Sequence, residues 1–292
     1  MILINWNIQW GRGADGRVDL ARTIEHARRL ADFDVLCLQE VSRGFDVPET
    51  LGGLPGGPSR DQFDELRALL PGFEVVEGIA LDLPGRDAEH RRRQFGVAIV
   101  SRLPVKEVVR LSLPRPPDGE IETMQRLALE AVLETQDGLL RVVTTHLEYR
   151  SARQRLAQVD AIRTHHAEAC ALPTAADTQA AFAGAPGVER TVICGDFNTR
   201  LGEAPYATML APLGGEAGFV DAWSEANAGR QRAPTVGCFD REQWPDGSFC
   251  CDYVFLSFSM LPRLIACDVD PNSDASDHQP MVLHLNDGHA RG

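Results

Sequence analysis

Short apolar runs alternate with helical patterns along most of this 292-residue chain. Eight stretches read as buried strands: residues 2–6, 35–38, 97–100, 127–133, 140–145, 191–194, 253–256 and 280–285. Each is short and rich in Val, Ile or Leu. Helices are predicted between them. Residues 19–31 carry Leu20, Ile24, Ala27 and Leu30 at helical spacing, and residues 61–70 carry Phe63, Leu66 and Leu70. Residues 151–166 carry Leu156, Val159 and Ile162, with Ser151 placed to cap the first turn. Residues 43–60, 112–119 and 168–190 read as loops, the last with room for part of a helix. Strands alternating with helices and hairpin-like pairs predict an α/β layered fold with mixed sheets. No repeat or linker interrupts it, so one domain is expected over residues 1–286, with a frayed tail at 287–292.

Composition narrows the class. The chain is 43% hydrophobic and 24% charged, enough for a sizeable core without a disulfide or structural metal. Its seven cysteines are scattered and show no zinc spacing, which favours a reducing compartment. The N-terminus runs straight into a strand-like segment, and no apolar run approaches the ~18 residues of a membrane span. A cytoplasmic protein with no transmembrane segment and no obligate protein partner is expected. A net charge of −13 disfavours a broad basic surface for tracking nucleic acid. It does not exclude a nuclease, since a bound divalent cation can reverse the local sign.

The candidate chemistry gathers at strand ends. The first strand runs into Asn7, the second into Gln39-Glu40, the fifth into His146, and the sixth into Gly195-Asp196-Phe197-Asn198. Asp252 and the triplet Ser276-Asp277-His278 precede the last two strands. If the first four run parallel within their sheets and the last two run against them, one rim collects Asn7, Glu40, His146, Asp196, Asn198, Asp252, Asp277 and His278. Each has an ordinary reading too: Asn7 as a turn cap, Glu40 as a solvated strand end, Asp196 and Asn198 as an Asx turn, His146 as a core histidine. Six polar strand ends arising for unrelated reasons is the weaker account. Carboxylate and amide oxygens are hard ligands suited to Mg²⁺ or Mn²⁺. A histidine beside a carboxylate can take a proton from water.

In order along the chain stand WNIQ (6–9), LQE (38–40), GVAIVSRLP (96–104), THLE (145–148), GDFN (195–198), DAW (221–223), DYVF (252–255) and SDHQP (276–280). This series resembles the endonuclease/exonuclease/phosphatase superfamily. The resemblance implies a four-layer αββα sandwich of two packed mixed sheets flanked by helices. It also implies Mg²⁺-dependent phosphate-ester hydrolysis, a phosphodiesterase first and a DNA or RNA nuclease as the alternative. A non-catalytic binding protein on the same fold is the remote third reading. Glu40 is implied as the main metal ligand with Asn7 and Asp277 nearby, His278 as the base for in-line attack by water, and Asp252 as its orienting carboxylate. Asp196 and Asn198 would position nucleophile and phosphate, and His146 would contact the phosphate or assist the leaving group. Two departures stand out: Cys250-Cys251 where the family often has Arg-Ile, and Gln9 where some members carry an acid.

The substrate is less legible. Arg91, Arg92 and Arg93, after His90, are expected either to recruit phosphate or to form a solvated run partly balanced by Asp82, Asp87 and Glu89. Arg126 is expected to support the site or to form a surface ion pair. Trp10, Trp223 and Trp244 are candidate substrate walls, with Trp223 assigned to the core and Trp244 as the best exposed candidate.

Overall fold

The computed structural model describes residues 1–85, 91–172, 184–213, 218–239 and 243–286. Two mixed six-stranded sheets pack face to face with helices outside, an αββα sandwich. The first sheet contains β1 (Ile2–Asn7), β2 (Val35–Arg43), β3 (Glu74–Leu83), β4 (Arg93–Ser101), β11 (Leu264–Val269) and β12 (Met281–Leu285), in the order β11-β12-β1-β2-β4-β3. The second contains β5 (Val105–Ser112), β6 (Leu127–Thr135), β7 (Gly138–His146), β8 (Thr191–Asp196), β9 (Phe219–Asp221) and β10 (Asp252–Ser257), in the order β5-β6-β7-β8-β10-β9. Each sheet has one parallel pair at its centre, β1 with β2 and β7 with β8, and antiparallel neighbours elsewhere.

Side-chain alternation builds the layers. Leu3, Cys37 and Ile99 of the first sheet meet Leu129, Val142, Cys194 and Val254 of the second. Ile4, Leu36 and Val100 point the other way, under α1 (Leu20–Leu30) and α2 (Gln62–Leu69). Val143, Ile193 and Phe255 face α3 (Ala152–Cys170) and α4 (Ala204–Leu210). Asp19, Asp61 and Ser151 cap the three long helices by accepting the backbone N–H groups of Arg22, Asp64 and Gln154. A short α5 (Ala222–Ala226) follows β9, capped by Asp221.

The expected strands are present, most of them longer than their apolar runs. Three expectations change. Helix α3 runs a turn past residue 166, to Cys170. Strand β4 opens at Arg93, four residues before the expected strand at 97–100, and so takes in part of the arginine run. Four strands lay outside the eight expected, and they are β3, β5, β9 and β11, the four sheet edges. The 287–292 tail and residues 173–183 lie outside the described residues. Among those described, no helix is long and apolar enough to cross a membrane.

Away from the rim, a buried polar group joins α3 to the second sheet. Glu130 accepts hydrogen bonds from Arg141 and His165, and Arg141 also reaches His166. Burial pushes the Glu130 carboxyl up, but its two partners outweigh this and hold it at about 2. Burial and the neighbouring Arg141 lower His166 to about 4. Acidification should therefore weaken the fold in two stages. The unfolded chain protonates His166 near 6.5 and the folded protein only near 4, so stability falls as pH drops through that window. Glu130, protonated near 4.5 when unfolded, extends the loss toward pH 2. Thermal unfolding of Glu130→Gln should show a flatter profile below pH 4.5. A slope equal to that of the wild type would refute the linkage.

Candidate active site

Strand register collects the polar ends. Asn7 of β1 lies beside Gln39 of β2. His146, Asp196 and Asp252 lie level on β7, β8 and β10. The two rims meet through Asn7, whose Nδ2 donates to Glu40 Oε1 at 3.1 Å and to Asp196 Oδ2 at 3.0 Å. Just beneath, Gln39 Nε2 donates to Asn5 Oδ1 and to Thr144 Oγ1, each at 2.9 Å, tying the sheets together within the core.

Local backbone shape aims these side chains. Glu40 is the extra residue of a bulge between Gln39 and Val41, and it sits in the left-handed region at φ +62°. The bulge lets Glu40 depart from strand alternation and turn to the rim. Such strain in a non-glycine residue persists only where the surrounding structure enforces it. Gly195 has φ +150°, and a Cβ there would meet Thr145 O at 2.0 Å, so the first residue of GDFN must be glycine. Asp196 Oδ1 then accepts the N–H of Asn198 at 2.9 Å. The Asx turn is thus formed, and it places both residues at the rim. Asn198 Nδ2 donates to Leu147 O.

His278 is fully framed. Its Nδ1 lies 2.9 Å from Asp252 Oδ2, and its Nε2 lies 3.8 Å from Asp196 Oδ2. Its carbonyl accepts from the Trp6 indole, and its N–H donates to Ser276 Oγ. Burial alone would lower the His278 pKa, but Asp252, Asp277 and Asp196 together raise it well above the usual histidine range. His146 goes the other way. Burial, with Arg126 and His278 nearby, lowers it well below that range and keeps it neutral. Its Nε2 is 3.4 Å from Asp196 Oδ2.

Burial and then Asp277 push Glu40 up to about 7. Burial and then Asp252 push Asp196 up to about 6. Buried carboxylates crowded in this way suit a divalent cation, and their oxygens are hard donors. Glu40 and Asp277 are the carboxylates that could supply such donors. Asn7, expected among the ligands, turns its amide nitrogen to Glu40 and Asp196, while its oxygen accepts from Gln9 N. It is placed as a clamp between carboxylates. Asp196, Cys251 and His278 also bring possible ligand atoms within 4.8 Å of one another. Burial and Asp252 hold the Cys251 thiol far toward its protonated form, and a soft sulfur fits this oxygen-rich set poorly.

A cleft of about 360 Å³ opens over these groups. Glu40, His146, Asp196, Asn198, Asp277 and His278 line it, while Asn7 and Asp252 stand behind. Arg126 joins the lining as a buried cation, its Nε 3.4 Å from Glu148 Oε2, so the surface ion-pair reading fails. Trp10 and Trp244 line the cleft too, and the Trp244 indole donates to Asp277 Oδ2 at 3.2 Å. Trp223 is in the core, as expected.

The arginine run is not part of this cleft. Arg91 faces Asp46, Arg92 pairs with Asp82, and Arg93 is buried over the Phe45 ring, donating to the carbonyls of Pro84 and Gly52. Arg92 and Arg93 are thus engaged by β3, its following turn and the 45–52 loop, and the Arg92–Asp82 pair agrees with the reading of a charge run balanced by acids rather than with phosphate recruitment. His90, Asp87 and Glu89 lie outside the described residues.

The chain is similar to known proteins in sequence and in fold. The sequence matches the Endonuclease/Exonuclease/phosphatase family over residues 4–278. The chain belongs to that family. This member is accordingly a hydrolase of phosphate esters. Its fold is similar to an endonuclease/exonuclease/phosphatase from Beutenbergia cavernae (24% identity, TM-score 0.65, 99% of this chain and 72% of that one). It is also similar to the mannosyl-6-phosphatase Bt3783 of Bacteroides thetaiotaomicron (15%, 0.62, 98% and 99%). A third similar structure is the 3′ phosphatase NExo from Neisseria bound to product DNA hairpin (17%, 0.60, 98% and 99%). No curated protein matches the sequence.

Two features of this family member escaped the sequence reading. Tyr149 and Gln243 line the cleft. Tyr149 directly follows THLE, a signal that was available, whereas nothing local marks Gln243. Where Cys250 replaces the family's arginine, a guanidinium still arrives. Arg232 places Nε 3.2 Å from Cys250 Sγ and Nη1 2.7 Å from Asp221 Oδ2, between the rings of Trp223 and Tyr253.

Proposed function

We propose that the protein is a phosphodiesterase dependent on Mg²⁺ or Mn²⁺, in which His278 activates the attacking water. One observation carries this reading: a single imidazole held by Asp252 on one nitrogen, with the other nitrogen turned to Asp196 in the cleft. With a cation held at Glu40 and Asp277 to offset the acids that raise His278, Asp252 would keep the proton on Nδ1 and leave Nε2 to accept one from water. Asp196 orients that water for in-line attack on phosphorus. The second N–H of the Asn198 amide, neutral His146 and cationic Arg126 are placed to hold phosphoryl oxygens. His146 is also the group nearest the role of assisting the departing oxygen. Glu40 and Asp277 would hold the cation, with Asn7 fixing Glu40 against Asp196. When bound, the cation supplies Lewis-acid polarisation of a phosphoryl oxygen.

A phosphomonoester is the second reading, favoured by the names of two similar structures, a mannosyl-6-phosphatase and a 3′ phosphatase. A nuclease would share the chemistry, and the net charge of −13 weighs against broad nucleic-acid tracking. The test uses bis(p-nitrophenyl) phosphate and p-nitrophenyl phosphate with Mg²⁺, Mn²⁺ or EDTA. Diester turnover should require the cation and drop by at least about a hundredfold in EDTA. Turnover undiminished by EDTA would overturn the reading. Turnover of the monoester alone would establish the second one.

A further inference from the structure

A trough of about 330 Å³ runs on from the cleft and shares Tyr149, Asn198, Gln243 and Trp244 with it. A substrate whose reacting phosphate sits at Asn198 can therefore extend into the trough. Two guanidinium groups line it, those of Arg155 and Arg200. Arg200 stands two residues past Asn198, its guanidinium carbon 3.9 Å from the centre of the Phe249 ring. It has no carboxylate partner among the described residues. The neighbouring acid, Glu203, is already engaged by Thr199 Oγ1 at 2.8 Å and by the Arg200 backbone N–H at 3.1 Å. Arg155 spends Nη1 on the carbonyls of Glu148 and Tyr149, while its buried Nε–H has no hydrogen-bond partner. Glu203 and the exposed Asp246 both line the trough and are the opposing charges.

We infer that this trough is a subsite for a second phosphate of the substrate, with Arg200 as its principal ligand. A guanidinium laid flat on an aromatic ring keeps its edge N–H groups free, and that edge matches two phosphate oxygens. Tyr149, 57% exposed, and Trp244 line both the cleft and the trough, as aromatic surfaces shared by the two. The substrate class is thus a bisphosphorylated or polyphosphorylated molecule, from either a nucleotide or a phosphorylated simple alcohol. This inference rests on the phosphodiesterase reading, because it takes Asn198 as the site of the reacting phosphate.

Equilibrium binding tests it apart from turnover. Calorimetry with Mg²⁺ would compare thymidine 5′-monophosphate with thymidine 3′,5′-bisphosphate, and butanediol monophosphate with butanediol bisphosphate. In at least one pair the bisphosphate should bind about tenfold more tightly to the wild type. Arg200→Ala should bring that ratio close to one, and Arg200→Lys should fall between, keeping the charge but losing the fork. A preference confined to the nucleoside pair assigns nucleotide-derived substrates, and one shared by both assigns phosphorylated alcohols generally. No preference in the wild type, or one that survives in Arg200→Ala, overturns the inference. Failure of the phosphodiesterase reading would show separately, as absent turnover of the bis-aryl diester.

Discussion

Replacing His278 with alanine is expected to lower kcat by about a thousandfold or more while leaving the protein folded. General base catalysis by a positioned imidazole accounts for a loss of that order. The contacts that hold residue 278 in place are largely backbone ones: its carbonyl accepts from the Trp6 indole, and its N–H donates to Ser276 Oγ. Alanine keeps both. What is lost is the imidazole between Asp252 and Asp196. Removing it also leaves Asp252 as a buried carboxylate without its cationic partner, and its Oδ1 already lacks a hydrogen bond. Some loss of thermal stability should accompany the loss of activity. Steady-state kinetics on the bis-aryl diester, with circular dichroism as the control for folding, would settle the point. A folded variant within tenfold of wild-type kcat would remove His278 from the mechanism.

Exchanging Glu40 for glutamine should move activity and stability in opposite directions. Activity is expected to fall by about a hundredfold or more, because glutamine keeps the shape and loses the charge that would hold the cation. Stability of the chelated protein should rise. Burial, followed by the proximity of Asp277, pushes the Glu40 carboxyl from 4.5 in the unfolded chain to about 7 in the fold. Between those values the folded protein holds the extra proton, so the wild type loses stability as pH rises through the window. The shift corresponds to about 3 kcal/mol once Glu40 is ionised, an upper figure for what glutamine relieves. The gain in Tm should therefore be small at pH 5 and largest above pH 8. Added Mg²⁺ should raise the Tm of the wild type and leave Glu40→Gln nearly unmoved. Equal melting temperatures of the two chelated proteins across this pH range would refute the electrostatic account.

These opposed effects have one structural origin. Glu40 occupies a strained backbone conformation, φ +62°, and a partly buried position beside other acids. Neither condition benefits the fold by itself. Both bring a carboxylate to the rim next to Asp277, where a cation would use it, which is the usual form of a stability cost at a functional site. Asn7 limits the cost by donating one N–H to Glu40 and one to Asp196.

The sequence by itself determined the central strands, the three long helices with the Ser151 cap of the third, and the inventory of reactive groups. Strands such as β2 and β8 are covered on both faces, so their apolar runs are written into local sequence. Motifs such as GDFN carry both their chemistry and the glycine their backbone needs. Tertiary structure alone decided the rest. The edge strands β3, β5, β9 and β11 were missed because an edge strand is paired on one side and carries polar residues, as Lys106, Glu107 and Arg110 do in β5. The bulge that turns Glu40 to the rim depends on register against β4, which no local pattern encodes. Arg91, Arg92 and Arg93 left two readings open, phosphate recruitment or a balanced charge run, because charge is visible in sequence and the pairing of charges is not. Asp46, Asp82 and the carbonyls of Gly52 and Pro84 meet them only in the fold. Arg200 is the converse case. Nothing adjacent in sequence separates it from an ordinary surface cation, and only the packing of Phe249 beneath it and the trough beside Asn198 set it apart.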